Sequence, residues 1–381
     1  MIKNPRPLFL IYTLLLIVYF WKTASLWFDI LYTGSEKDIL LIVTLLAIEL
    51  LILFLIRFSP KYDCQYRRIH WLCFVWEAIM IVVLLFNKAP ISHYIKCLAW
   101  PLFLESAYLF VRFDIRMLES FRKVFYIFIF IGTIVFFQAM GFLSFSGQSN
   151  MIYFMLLPVP VLMLRENTKW QYSLLIFASF FALLSMKRSM MLAFALCWCV
   201  IVFKYLIGTG RKRLAIVLSV FVIALAYGFF NLVDNYTGGN LSSRTVDYEK
   251  DDITNGREAI YLVTLEMIVK SSPSHILLGH GHGSVRKDSF MDISAHNELL
   301  EIVYDYGIII LLVYIGLWVY VVRQWLYHYR NNTPDFIPYT LSVCIFAVMA
   351  MVSQLVLYVS YFLYLVMFWG MVHALKEMKQ T

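Results

Sequence analysis

Residues 39–56 read ILLIVTLLAIELLILFLI, an apolar run broken by one charge, Glu49, and long enough to cross a bilayer as a helix. Lys37 and Asp38 stand before it and Arg57 after it, so the ends are marked by charge. Comparable runs recur near 8–26, 38–57, 69–86, 91–111, 122–141, 150–164, 170–186, 189–207, 213–233, 299–322, 338–356 and 359–375. The composition agrees. Of 381 residues, 61% are hydrophobic and only 15% charged, against about a quarter charged in soluble domains. These figures exclude a secreted disulfide scaffold, a disordered chain and an ordinary cytosolic enzyme. The expected fold class is an all-α polytopic membrane protein with about twelve transmembrane helices.

The first run follows Lys3 and Arg6 and has no small-residue cleavage site, so it reads as an uncleaved first helix. The sixth carries Pro158 and Pro160, which predicts a kinked or broken span, because proline removes a backbone donor and crowds the preceding turn. The six cysteines form no metal or disulfide pattern: Cys197 and Cys199 are two apart and diverge on a helix.

The net charge of +8 is spread in short clusters between apolar runs, which is a membrane pattern and not a nucleic-acid footprint. With a cytoplasmic N-terminus, the inner loops collect clusters such as Arg57, Lys61, Arg67 and Arg68, or Lys204, Arg211, Lys212 and Arg213. The short outer loops then hold only Lys22, Lys37, Lys88, Lys187 and Arg188. Both termini are therefore expected in the cytoplasm. The resulting division is 1–233 for spans one to nine, 234–297 for one large extracytoplasmic loop between spans nine and ten, and 298–381 for spans ten to twelve. That loop holds four of the eight histidines. Within it, Asn255 and Glu258 resemble a helix start, and Arg257–Lys270 is amphipathic up to Pro273. A further helix is expected to begin around Ser294–Asn297 and run directly into span ten. No internal repeat of the transporter kind is found.

Three patterns in this half of the chain carry candidate chemistry, each with a bland alternative. Lys187 and Arg188 lie on a tight outer turn; they either snorkel at a helix end or hold a guanidinium fork for a lipid phosphate. Arg257, after Asn255-Gly256, opens the loop helix; it is either simply solvated or, with free backbone N–H groups, suited to an anion. The third runs Gly279-His280-Gly281-His282-Gly283, then His296-Asn297-Glu298-Leu299-Leu300-Glu301, ending at Asp305-Tyr306-Gly307. Here Gly281 and Gly283 permit close backbone approach to a ligand, His280 and His282 lack a third metal ligand at a familiar spacing, and His296 sits where loop becomes membrane helix. Asn297 and Glu301 share one helix face and either orient sugar hydroxyls or cap the helix. Glu49, Glu77, Lys96 and Glu105 lie inside apolar runs, as internal ion pairs or as groove lining.

Taken in order, Ser185-x-x-Arg188, Gly256-Arg257 before an amphipathic helix, Pro273 followed by the alternating glycines, and His296-Asn297-x-x-x-Glu301 through Asp305 and Gly307 resemble the O-antigen polymerase and O-antigen ligase superfamily. The motifs are concentrated between Ser185 and Gly307. Three departures stand: Lys187 occupies the place usual for serine before the outer-turn arginine, the expected loop aromatic is represented by Tyr261 alone, and isoleucine replaces a second glycine after Gly307.

The resemblance implies a metal-independent, cofactor-free glycosyltransferase of the GT-C type in the bacterial inner membrane. Its substrates would be undecaprenyl-pyrophosphate-linked oligosaccharides, with a chain-length regulator and a flippase as partners and no nucleic acid. It implies His296 as base and Arg188 and Arg257 as forks on pyrophosphate, with Asn297, Glu301, Gly281, Gly283, Tyr261 and Lys187 in the binding site. The reading is a polysaccharide polymerase that transfers the growing glycan onto the non-reducing end of a lipid-linked repeat. A ligase acting on lipid A core is the close alternative, and a flippase for lipid-linked sugar the alternative of another class. Whether helix dipole or pyrophosphate sets the charge on His296 is open from sequence.

Overall fold

The computed structural model describes residues 6–33, 39–58, 67–142, 151–185, 187–208, 257–290, 292–353, 355–356 and 358–378. Expected span nine, 213–233, lies outside them, as do Asn255 and Gly256. The other eleven expected spans are all helical: α1 (Arg6–Thr33), α2 (Ile39–Phe58), α3 (Arg67–Phe86), α4 (Ile91–Phe113), α5 (Arg116–Phe142), α6 (Ile152–Leu156) with α7 (Val159–Leu162), α8 (Thr168–Leu184) and α9 (Arg188–Gly208). After three loop helices, α10 (Arg257–Lys270), α11 (Pro273–Leu278) and α12 (Ser284–Asp288), come α13 (Glu298–Arg330), α14 (Phe336–Val352) and α15 (Val359–Met378). Among the described residues there is no strand, and eight helices are long and apolar enough to cross a membrane. The chain is an all-α, multi-pass membrane protein.

The broken sixth span appears as α6 and α7, two short helices parted at Leu157 and Pro158. Both are wholly buried, and α6 packs on α5 while α7 packs on α14 and α5. The core lies where α4 runs along α15. A Cβ on Gly370 would stand 2.3 Å from the Leu104 carbonyl oxygen, so the two backbones meet where only glycine fits. Trp100, Phe362 and Trp369 fill the space beside that contact, with Trp100 and Phe362 ring centres 5.9 Å apart.

Of the charges expected inside the apolar runs, Glu105 meets a partner from another helix as the packing alternative expects, whereas Oε1 of buried Glu49 has no hydrogen-bond partner among the described residues. His70 of α3 shares a hydrogen bond with Glu105 of α4. Tyr108 of α4 donates to Glu377 of α15, and Arg112 lies 3.7 Å from the same carboxylate. Lys96 is different: it is exposed in the second turn of α4, close to the loop helices and not mid-span.

Candidate active site at the start of α13

The loop that carries the candidate residues folds back on one end of the bundle. Asn87, between α3 and α4, donates to the Leu278 carbonyl at 3.3 Å, and α11 packs against α13. Helix α13 has a sharp kink at Gly307, whose φ is +81°; a Cβ there would lie 2.1 Å from the Leu277 carbonyl oxygen. Gly279 meets the Asp305 carbonyl in the same way, at 2.3 Å. The alternating glycines thus permit close approach of backbone to backbone, with loop against kink.

The polar atoms of that loop are committed to the same contact. His280 N–H donates to the Tyr304 carbonyl (2.9 Å) and Gly281 N–H to the Asp305 carbonyl (2.8 Å). The Asp305 carboxylate accepts from Gly283 N–H (2.7 Å) and Val285 N–H (3.0 Å), capping the short helix α12. The His280 ring is stacked between His275 and Tyr304, each 4.3 Å away, and shares a hydrogen bond with Ser271 at 2.8 Å. His282 pairs with the Tyr306 hydroxyl, and its ring lies 4.7 Å from that of His93. Burial, and after it the charges of His93 and Lys96, pull the His282 pKa down to about 3. Among the described residues no three His, Cys, Asp or Glu side chains are placed to hold a metal ion.

His296 is built differently. It has φ +51°, a left-handed conformation that costs a non-glycine residue roughly 1–2 kcal/mol and is held in place by its neighbours. Asn297 caps α13, its side chain accepting from Leu299 N–H (3.1 Å) and Leu300 N–H (3.3 Å). The buried Glu301 carboxylate accepts from Ala295 N–H at 2.7 Å, on the other side of His296. The Tyr261 hydroxyl of α10 reaches the His296 carbonyl (3.4 Å) and the Met351 carbonyl of α14 (3.1 Å). Asn297, Glu301 and Tyr261 therefore all hold backbone around His296, while its own side chain is exposed.

Around that ring stand two cations from separate segments. Although the residue is exposed, enough protein surrounds the imidazole to strip part of its hydration, and this burial is the largest influence lowering its pKa; Arg257 and then Lys187 lower it further. Arg257 opens α10 and is half-buried. Lys187 sits in the α8–α9 turn, its backbone N–H donating to Ser185 Oγ at 3.2 Å and its ammonium 5.5 Å from the centre of the Tyr153 ring. The Tyr153 hydroxyl shares a 2.9 Å hydrogen bond with Ser189 in the first turn of α9, and Arg257 acts electrostatically on Tyr153 as well. Arg188 is exposed as the first residue of α9, one position after Lys187, whose charge acts on the His296 ring.

The three cations and His296 all stand at helix N-termini, those of α9, α10 and α13. Free N–H groups and the positive end of the helix dipole repel cations and attract anions. Lys and Arg there work against helix stability, and cations and free N–H groups on one side are chemically suited to a negatively charged group. Without that group, dipole and cations act together to favour neutral imidazole. Tyr153 was not marked in the sequence reading; its only signal there is its place on the proline-broken span.

Residues 173–315 match the family model described as O-antigen ligase. No curated protein shows significant similarity to the chain. The match takes in Lys187, Arg188, Arg257, the glycine loop, His296 and the Gly307 kink, and it supports the resemblance to the O-antigen polymerase and ligase superfamily over that segment.

Proposed function

We propose that the protein is a polysaccharide polymerase of the bacterial inner membrane, transferring a glycan from its polyprenyl pyrophosphate onto the non-reducing end of a lipid-linked repeat. The observation that carries this is the gathering of Lys187 and Arg257 about an exposed His296 at the start of a membrane helix. In this reading the end of the bundle that bears His296 faces outside the cytoplasm. Neutral His296 takes the proton from the acceptor hydroxyl as that oxygen bonds to the anomeric carbon of the donor. The bond from that carbon to the pyrophosphate oxygen breaks, and the leaving charge develops beside Arg257, Lys187 and Arg188. No metal is given a step. Asn297, Glu301 and Tyr261 serve by holding the His296 backbone; Gly281 and Gly283 serve by seating the loop on α13.

The ligase reading shares every residue and changes only the acceptor, to lipid A core, and the family match is compatible with both. Deleting the gene distinguishes the two. A surface glycan cut to a single capped repeat supports the polymerase, and long polymer left on the lipid carrier supports the ligase. Unchanged surface glycan in the deletion overturns both.

A further inference from the structure

Glu298, the first residue of α13, is fully buried two positions after His296. Its Oε2 accepts from the Tyr314 hydroxyl at 2.7 Å, and its Oε1 accepts from the Val356 backbone N–H. Tyr314 lies beyond the Gly307 kink, and Val356 lies in the connection between α14 and α15. One carboxylate therefore fastens the start of α13 both to its own second half and to that connection. A buried carboxylate is a poor choice for stability alone, since an apolar side chain of similar size often does as well. From Val356 the chain leads to Tyr361, whose ring centre is 5.0 Å from that of Tyr153, the ring that carries Lys187.

We propose that Glu298 is a positioning residue that sets the distance between His296 and the Lys187–Tyr153 side of the site, with the Val356 N–H and the Tyr314 hydroxyl as its anchors. The inference rests on the assignment of His296 made above. A carboxylate accepts from both donors at once. An amide of the same size offers one acceptor and one NH₂ group. With its oxygen on the Val356 N–H, its NH₂ meets a Tyr314 hydroxyl that has to turn from donating to accepting, so Glu298→Gln replaces a charge-assisted anchor by a weaker neutral one while keeping the volume. Tyr314→Phe removes that hydroxyl and leaves Glu298 in place.

The test uses the full-length protein in lipid nanodiscs. Diethyl pyrocarbonate modification of His296 is followed by mass spectrometry across pH, beside thermal melting and transfer from a lipid-linked repeat. Loosened spacing moves the ring away from Lys187 and Arg257, so in Glu298→Gln the midpoint of modification rises toward the ordinary imidazole range. Turnover drops by about tenfold with KM near that of the parent, as misplacement of a base predicts. Tyr314→Phe moves both in the same direction by less, and the double variant is no worse than Glu298→Gln, because the two act through one contact. A variant that only weakens the fold melts earlier with the midpoint unmoved; that result, or unchanged turnover, overturns the proposal. Should Glu298→Gln not fold, Tyr314→Phe decides by the same midpoint. If the parent protein transfers nothing, the transferase reading fails, while the midpoint comparison still decides what Glu298 does.

Discussion

Two stretches of one loop, Gly279–Gly283 and Ala295–Asn297, both offer histidine among small residues, and they end in opposite states. In the first, the glycines exist to bring backbone onto the α13 kink, and the two imidazoles are consumed by stacking on His275 and Tyr304 or by pairing with Tyr306. In the second, every neighbour holds backbone and the ring is left facing outward among cations. A conspicuous motif is thus the scaffold and an inconspicuous one leaves its ring exposed. What separates them is whether the polar atoms are already bonded within the fold.

The comparison is tested most sharply at His296 itself. His296→Ala is expected to lower turnover by about 10²–10⁴-fold with inorganic pyrophosphate binding retained, because a positioned base contributes on that scale. His296→Gln, which bonds but takes no proton usefully, is expected to be nearly as poor; parental rates in the Gln variant would reduce His296 to an orienting group. On the scaffold side the effect is on folding. Gly307→Ala puts a Cβ 2.1 Å from the Leu277 carbonyl and should abolish folded protein in detergent, whereas Gly283→Ala meets no atom within 4 Å and carries only the strain of φ +75°. Equal melting temperatures for the two variants would break the account of the glycine loop.

Smaller effects sharpen the picture of the cations. Arg257→Lys keeps charge but loses the planar fork, and a loss of about tenfold in turnover is expected, near the ~1.5 kcal/mol of one charge-assisted hydrogen bond. Full activity in that variant would show that charge alone suffices. The acid side of the rate–pH profile follows from the lowered His296 pKa: the base stays neutral below the usual imidazole midpoint of about 6.5, and rate falls only at still lower pH. Lys187→Gln removes one depressing charge and should move that fall to higher pH; a shift to lower pH contradicts the geometry. The smallest effects are expected at His280→Ala and His282→Ala and from excess chelator, each leaving transfer within a few-fold. Inhibition by chelator that one divalent ion reverses would return the metal reading to the first stretch.

Much of the fold was legible because its signal is local and repeated. A bilayer-length apolar run with charged ends specifies a helix whatever surrounds it, so the limits of α2, α3, α4 and α9 fall within a few residues of the runs read from sequence. The break at Pro158 and the helix start at Asn297 were equally legible, since proline and an Asx cap act on their own turn. The site was legible only in part. His296 and Arg257 were marked by place and motif, but the pairing of Lys187 with His296, the Tyr153 platform beneath it and the Glu298 anchors join residues 16 positions apart in Tyr314–Glu298, 36 in Tyr153–Ser189 and 109 in Lys187–His296, brought together only through packing.

The sequence by itself determined that this chain is a bundle of membrane helices with one polar loop entering α13, because hydropathy and capping are properties of contiguous residues. Only the tertiary structure decided which polar groups of that loop remain available. Availability depends on the partners that distant segments supply: Tyr306 and Asp305 occupy the glycine loop, while Tyr261, Glu301 and Glu298 brace the His296 turn from behind. It also brought Arg257 and Lys187 to the ring from two other helix starts, and after burial, the largest influence, their charges lower the His296 pKa.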